Sequence, residues 1–291
     1  MNIQWYPGHM TKTRRMIAEQ IKNVDAVCEI LDARIPLSSR NPDVDELTAG
    51  KPRLVVLNRV DQADAEASRR WAADFREKGY AVLETDAKSG SGTKQFAAAV
   101  RTLLADKLRA WAEKGQTGRV VRVMILGIPN VGKSTFINRV AGRKTAKTED
   151  RPGVTRSKQW VPIDRGLELL DTPGILWPKF EDPEVGLKIA FLGSISEMTV
   201  NTEELACELL RFLSERDQLS GMKERTGLPE APVSTLTEAG AVLEQLAVRR
   251  GCLKEGGVPD TEKAAGILLN EFRQGQLGRI TLELPGEKEN A

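Results

Sequence analysis

Short apolar, often β-branched runs recur through the first part of the chain, at 26–31, 54–57, 81–83, 120–126 and 167–170, each ending in a loop rich in Asp, Asn, Gly or Ser. Such runs bounded by turn residues predict strands. Between them, apolar positions fall at helical spacing over 12–22, 63–78, 93–113 and 133–141. This alternation predicts helices packed on a largely parallel sheet, with ligands at the carboxyl ends of the strands. Past Pro178 the strand signals fade, and helical periodicity takes over at 183–192, 203–216, 237–249 and 261–274, interrupted by Gly227, Pro229, Pro232, Gly256, Gly257 and Pro259. The pattern divides the chain into an α/β domain over 1–182 and a small all-α domain over 183–291. Residues 280–284 read as a short strand or a docking tail, and the chain from Gly286 as a frayed end.

With 291 residues, 40% of them hydrophobic, the chain is long enough to bury one large core or two smaller ones, which excludes disorder as its main state. Its apolar runs all fall short of the ~18 residues that cross a bilayer. The start MNIQWYPGHM has neither a basic nor an apolar leader region. A soluble cytoplasmic protein with no membrane partner is expected. Cys28, Cys207 and Cys252 are far apart and there is one histidine, so neither a disulfide framework nor structural zinc is expected. The net charge of +2 conceals a split: residues 1–191 hold 32 Lys and Arg against 24 Asp and Glu, whereas 192–291 hold 11 against 17. The basic part is the place to look for phosphate-rich partners.

Gly127-Ile128-Pro129-Asn130-Val131-Gly132-Lys133-Ser134 matches G-x-x-x-x-G-K-[ST], directly after a predicted strand and before a predicted helix. Glycines allow the loop to wrap phosphates closely, and the helix start adds N–H donors. Pro129 to Thr135 would line the phosphates, with Lys133 reaching the β and γ groups and the Ser134 hydroxyl on Mg²⁺. Forty-four residues after Gly127 comes Asp171-Thr172-Pro173-Gly174, again at a strand end. Asp171 can hold the Mg²⁺ shell through water, and the Gly174 N–H can approach a γ-phosphate. The intervening segment 139–158 is rich in Arg and Lys, and its Thr155 is the candidate hydroxyl that joins Mg²⁺ and the γ-phosphate in the triphosphate state alone.

A phosphate loop does not choose between adenine and guanine. The guanine reader N-x-x-D appears upstream of it, as Asn58-Arg59-Val60-Asp61 at the end of a predicted strand. The Asp61 carboxylate can accept both the ring N–H and the exocyclic amino protons of guanine and repel adenine. Asp86-Ala87-Lys88 resembles the Ser-Ala-Lys element whose backbone N–H meets guanine O6. The order is base reader, base backing, phosphate loop, switch threonine, D-x-x-G, a rotation of the usual GTPase order. Joining old termini and opening new ones in a surface loop leaves a parallel sheet and its site intact.

This arrangement, with WYPGHM at the start, NRVD, GIPNVGKS, RPGVTR and DTPGILWPKFEDP, resembles the YlqF/RbgA family of circularly permuted GTPases, from Trp5 to about Gly193 and more loosely beyond. The resemblance implies a circularly permuted P-loop GTPase domain followed by a helical domain that touches RNA. It implies a monomeric bacterial assembly factor whose partner is a precursor of the large ribosomal subunit, both rRNA and ribosomal proteins. Two positions depart from the family pattern: Arg59 stands for the usual Lys and Asp86 for the usual Ser. Ile175, after Gly174, has no polar atom to orient an attacking water, so slow unaided turnover is expected. The family suggests two substitutes, His9 and a K⁺ ion held partly by Asn130, whose charge would act as an arginine finger does. Each has a plainer alternative, a packed histidine and a turn asparagine. Lys12, Arg14, Arg15 and Lys22 form a basic helical face near His9 that, with segment 139–158, suits RNA phosphates. Two other classes stand beside this reading: a GTP-gated RNA or protein clamp with negligible hydrolysis, and an unrelated P-loop ATPase or small-molecule kinase, which Asp61 disfavours.

Overall fold

The computed structural model describes residues 9–116, 118–143, 159–177, 180–196, 199–216 and 233–286, with the backbone alone for His9, Met10 and Lys12. The described chain forms two compact units, one of residues 9–177 together with 283–286 and one of residues 180–282.

In the first unit, strands β1 (Ala26–Asp32), β2 (Arg53–Asn58), β3 (Ala81–Thr85), β4 (Val121–Leu126), β5 (Gln159–Asp164) and β6 (Leu167–Asp171) form one sheet in the order β3-β2-β1-β4-β6-β5. All neighbours are parallel except β5 against β6. β1 is central, with Cys28 opposite Leu54 on one side and Ile125 on the other. From β1 the chain steps outward to β2 and β3, then crosses back to β4 on the other flank. The reversal places a topological switch point at the carboxyl ends of β1 and β4, where open α/β sheets bind ligands. β1 and most of β2 and β4 are buried, which explains their near-continuous apolar runs.

Helices cover the sheet through faces set by spacing. Helix α1 (His9–Gln20) contributes Ile17 to a cluster with Val27, Met124, Leu126, Leu170 and Ile175. Helix α2 (Asp43–Leu47) adds Val44. Helix α3 (Ala65–Glu77) buries Ala67, Trp71 and Phe75, four residues apart, and packs Trp71 and Phe75 against Leu31, Val55 and Leu57. Its Asp64 cap accepts from the Ala67 N–H at 2.7 Å. The single helix expected over 93–113 is instead a 3₁₀ turn (Thr93–Gln95), α4 (Phe96–Leu103) and α5 (Ala105–Glu113). Leu104, at φ −104°, turns the axis but keeps its N–H on Val100, and Leu108 keeps its own on Leu104, so these two bonds carry the chain through the bend. Helix α6 (Lys133–Ala141) follows the phosphate loop and packs Phe136 edge-on against Phe96, with ring centres 5.3 Å apart.

The second unit is helical: α7 (Pro183–Phe191), α8 (Thr202–Glu215), α9 (Leu236–Arg249) and α10 (Thr261–Arg273). Asp182, Asn201, Thr235 and Asp260 cap their starts, Thr235 within a full capping box with Glu238. Phe191 packs edge-on against Phe212 and Phe272, and Leu209, Leu243, Leu246 and Leu268 are buried in the same unit. Residues 280–284 form no strand. Glu283 docks on the first unit: its carboxylate accepts from the Leu37 N–H, the Ser38 N–H (2.8 Å) and the Ser38 hydroxyl (2.7 Å), and its carbonyl accepts from Trp71 Nε1 at 2.9 Å. Of the alternatives for this segment, the docking tail is the one formed. The frayed end falls largely on 287–291, outside the described residues.

Candidate functional site

The loop between β4 and α6 is shaped by close approaches. A Cβ on Gly132, at φ +97°, would lie 2.4 Å from Asn58 Nδ2, and one on Gly127 would lie 2.6 Å from the Ile30 carbonyl oxygen. Glycine is required at both points. The Lys133 ammonium turns back into the loop and donates to the carbonyls of Gly127 (3.0 Å) and Ile128 (2.7 Å). Burial pulls Lys133 below the ordinary lysine range and pushes the Asp171 carboxyl above its own; attraction between the two opposes both shifts. Asp171 ends β6, and its buried Oδ1 has no hydrogen-bond partner among the described residues. The next residue, Thr172, donates its hydroxyl to the Ile125 carbonyl at 2.6 Å and fixes this segment to β4.

Gly174 arrives at the phosphate loop, where an added Cβ would lie 2.8 Å from Pro129 Cα and N. Ile175 N–H donates to the Gly127 carbonyl at 3.2 Å, and its side chain is buried in the core, so it presents nothing polar to the loop. Ser134 and Thr135 are half-buried on the first turn of α6. Lys133, Ser134, Asp171 and Gly174 thus gather at one end of the sheet.

The base segment is tied to the same place. Asn58, buried at the end of β2, accepts from the Thr85 hydroxyl and the Ala87 N–H, both at 3.1 Å, and donates to the Val131 carbonyl at 3.0 Å. One amide therefore joins the ends of β2 and β3 to the phosphate loop. Arg59, at φ +63°, donates from Nη2 to the Asn130 carbonyl at 2.7 Å, and Asn130 is itself left-handed at φ +59°. Asp61 is exposed at the rim; its partial burial and the nearby Asp86 both raise its carboxyl above the usual range. Asp86 accepts from the N–H groups of Lys88 (2.8 Å) and Ser89 (3.2 Å), the capping task expected of the usual serine. The Ala87 N–H is already held by Asn58 and the Lys88 N–H by Asp86, so a base oxygen facing this loop would share donors.

Sequence reading missed the segment after β1. Asp32 and Arg34 form a buried bidentate pair with both bonds at 2.9 Å, and Arg59 Nε lies 3.7 Å from the same carboxylate. Burial raises the Asp32 carboxyl, but Arg34 and then Arg59 outweigh it and hold it below the ordinary range. Asn41 Nδ2 reaches the Ile175 carbonyl at 3.4 Å. The signal available was position: Asp32-Ala33-Arg34 follows the central strand at the switch point.

Other expectations fare differently. Thr155 and most of the basic segment, including Lys144, Lys147, Arg151, Arg156 and Lys158, lie outside the described residues, as does the His9 side chain. Arg139 lies on α6, and its guanidinium is bound to the carbonyls of Ala87 (3.3 Å) and Lys88, so it is no part of a free basic patch. On α1, Arg14 faces Asp43 (3.6 Å) and Glu46 (3.3 Å) and Arg15 faces Glu19 (3.0 Å), which reduces the net charge of that face.

A family profile described as 50S ribosome-binding GTPase matches residues 122–226. The ribosome biogenesis GTPase A of Bacillus cereus is 46% identical over 287 residues, covering 99% of this chain and 95% of the relative. The mitochondrial ribosome-associated GTPase 1 of Mus musculus is 34% identical, covering 96% and 90%. Among solved structures, GDP-bound YlqF superimposes with a TM-score of 0.65 at 28% identity, covering 94% of this chain and all of the other. Full-length identity, a GTPase loop order rotated about the sheet and a helical second unit lead to one assignment: the chain belongs to the ribosome biogenesis GTPase A family of circularly permuted GTPases.

Proposed function

We propose that this GTPase acts in late maturation of the bacterial large ribosomal subunit, docking on the precursor in its GTP state and leaving on hydrolysis. The observation that carries this reading is the Asn58 bridge, which holds a guanine-reading segment and a phosphate loop in one frame. Asp61 reads the guanine edge, and the loop from Pro129 to Thr135 encloses the phosphates. Lys133 exchanges the carbonyls of Gly127 and Ile128 for β and γ oxygens, a favourable exchange for an ammonium whose burial already disfavours its charge.

The donor set fits Mg²⁺: the buried Asp171 Oδ1, unpartnered among the described residues, is an acceptor suited to a metal-bound water. Ser134, Thr155 and Asp171 would hold that ion, which neutralises charge on the β and γ oxygens. Thr155 and the Gly174 N–H would grip the γ-phosphate, and losing that grip on hydrolysis removes the preference for the docked state. With Ile175 buried, unaided turnover is slow; His9, and Asn130 by holding a K⁺ ion whose charge would offset that developing on the phosphates, would supply the missing help. The partner surface comprises rRNA and ribosomal proteins, met by the monomer in the cytoplasm. Among the described residues no helix is long and apolar enough to cross a membrane, in keeping with that setting.

The test is GTP turnover in K⁺ and in Na⁺, with and without large ribosomal subunits, with ATP as control. Slow, GTP-selective turnover that rises by orders of magnitude with subunits and K⁺ is expected. Tight GTP binding with no stimulation would identify a gated clamp, and equal use of ATP would refute the guanine assignment.

A further inference from the structure

Arg139 lies six residues beyond Lys133 on α6, outside every nucleotide-binding motif in the chain, yet its guanidinium is spent on backbone. Nε donates to the Ala87 carbonyl at 3.3 Å and Nη2 to the Lys88 carbonyl, while the side-chain stem lies against Gly90, where an added Cβ would meet Arg139 Cδ at 3.0 Å. The opposite ends of the same two peptide groups are held by Asp86, whose Oδ1 accepts from the Lys88 and Ser89 N–H groups. The peptides 87–88 and 88–89 are therefore braced by a cation on their carbonyl side and an anion on their N–H side. Each charge lies at the end of the peptide dipole that it stabilises.

The brace answers a problem this sequence sets itself. Replacing a neutral serine by Asp86 adds a full negative charge near Asp61, the residue that must be ionised to read guanine. With Asp86 fixed on the N–H side, a guanidinium bound to the carbonyl side holds the loop against rotation. The packing of Phe136 on Phe96 secures α6, so that Arg139 is presented from a rigid helix.

We infer that Arg139 is a positioning residue for the guanine subsite, coupling the phosphate-binding helix to the loop that faces the base through the carbonyls of Ala87 and Lys88. The inference rests on the reading of Asp61 and 86–88 as the base site. Because this loop would face O6, which guanine and hypoxanthine share, Arg139 acts on both bases alike.

The test uses Arg139→Ala and Arg139→Lys in the full chain, with GDP and inosine 5′-diphosphate affinities measured by displacement of a fluorescent GDP, and steady-state GTP turnover. Losing a charged donor to two carbonyls is expected to weaken both diphosphates about tenfold. The KM for GTP rises by a similar factor, while kcat stays within about twofold and the melting temperature is little changed. Arg139→Lys, able to reach one carbonyl, recovers part of the loss. Unchanged diphosphate affinity in both variants would overturn the inference, as would a loss confined to kcat or a loss for GDP alone. If the unaltered protein binds ADP as tightly as GDP, the base-site reading itself fails and the inference with it.

Discussion

Replacing Asn58 by Ala removes one acceptor that serves two donors and one donor that serves a carbonyl, at a site only 2% exposed. The Thr85 hydroxyl can rotate to another acceptor, but the Ala87 N–H and the Val131 carbonyl are fixed in direction. Leaving a buried backbone group unpaired costs about 1–3 kcal/mol, so two such groups and a small cavity put the loss near 3 kcal/mol. The same bonds hold the base segment to the phosphate loop, and decoupling them should weaken GDP by up to about a hundredfold, the equivalent of that energy. Urea unfolding followed by circular dichroism measures the first quantity and titration with GDP the second. A stability loss below about 1 kcal/mol together with GDP affinity within threefold of the unaltered protein would refute the claim that one amide couples the two halves of the site.

Gly174→Ala must displace Pro129, whose backbone lies 2.8 Å from the new methyl, so single-turnover GTP hydrolysis should fall at least tenfold while GDP affinity falls far less. Arg34→Met leaves Asp32 buried with Arg59 as its remaining cation, a change expected to cost about 3–5 kcal/mol. In the unaltered protein the lowered Asp32 contributes stability that is full above the unfolded carboxylate range and lost as pH falls through its folded value. With burial opposed by the more distant Arg59 and no longer by Arg34, its folded value rises, so the variant should lose stability as pH increases from 4 to 7, where the parent does not; parallel urea midpoints in the two proteins would contradict this. Trp71→Phe deletes the donor to the Glu283 carbonyl and should lower stability by about 1 kcal/mol, read from urea unfolding.

Legibility in the sequence followed local signals. Helix α6 runs over the residues its pattern predicts because Gly132 and Gly142, both left-handed, punctuate its two ends. Strand β5 was hidden: it is an edge strand with Val161 as its sole fully buried residue, and its Pro162 is tolerated for want of a neighbour on that side. The five-residue α2 is too short to show a period. At the site, Lys133, Asp171 and Gly174 were readable because motif spacing encodes them. The Asp32–Arg34 pair and the Arg139 brace were not, since a guanidinium bound to a nearby carboxylate or to loop carbonyls leaves no sequence period, and in composition alone Arg139 counts as one more surface charge.

The docking of Glu283 changes what the nucleotide unit is. It is discontinuous: the helical unit is an insertion whose two ends both lead back to the same body. A chain cut after Pro178 would strand the Trp71 indole N–H and the amides of Leu37 and Ser38 without their acceptors, so the excised fragment is a different protein from the unit it is meant to isolate. Closing a loop of about a hundred residues carries only a modest entropic cost, so a few hydrogen bonds and buried side chains suffice to hold it. A change far down the chain, at Glu283, thereby gains a physical route to the segment following the central strand, and a residue nearly 250 positions away becomes part of the architecture around it.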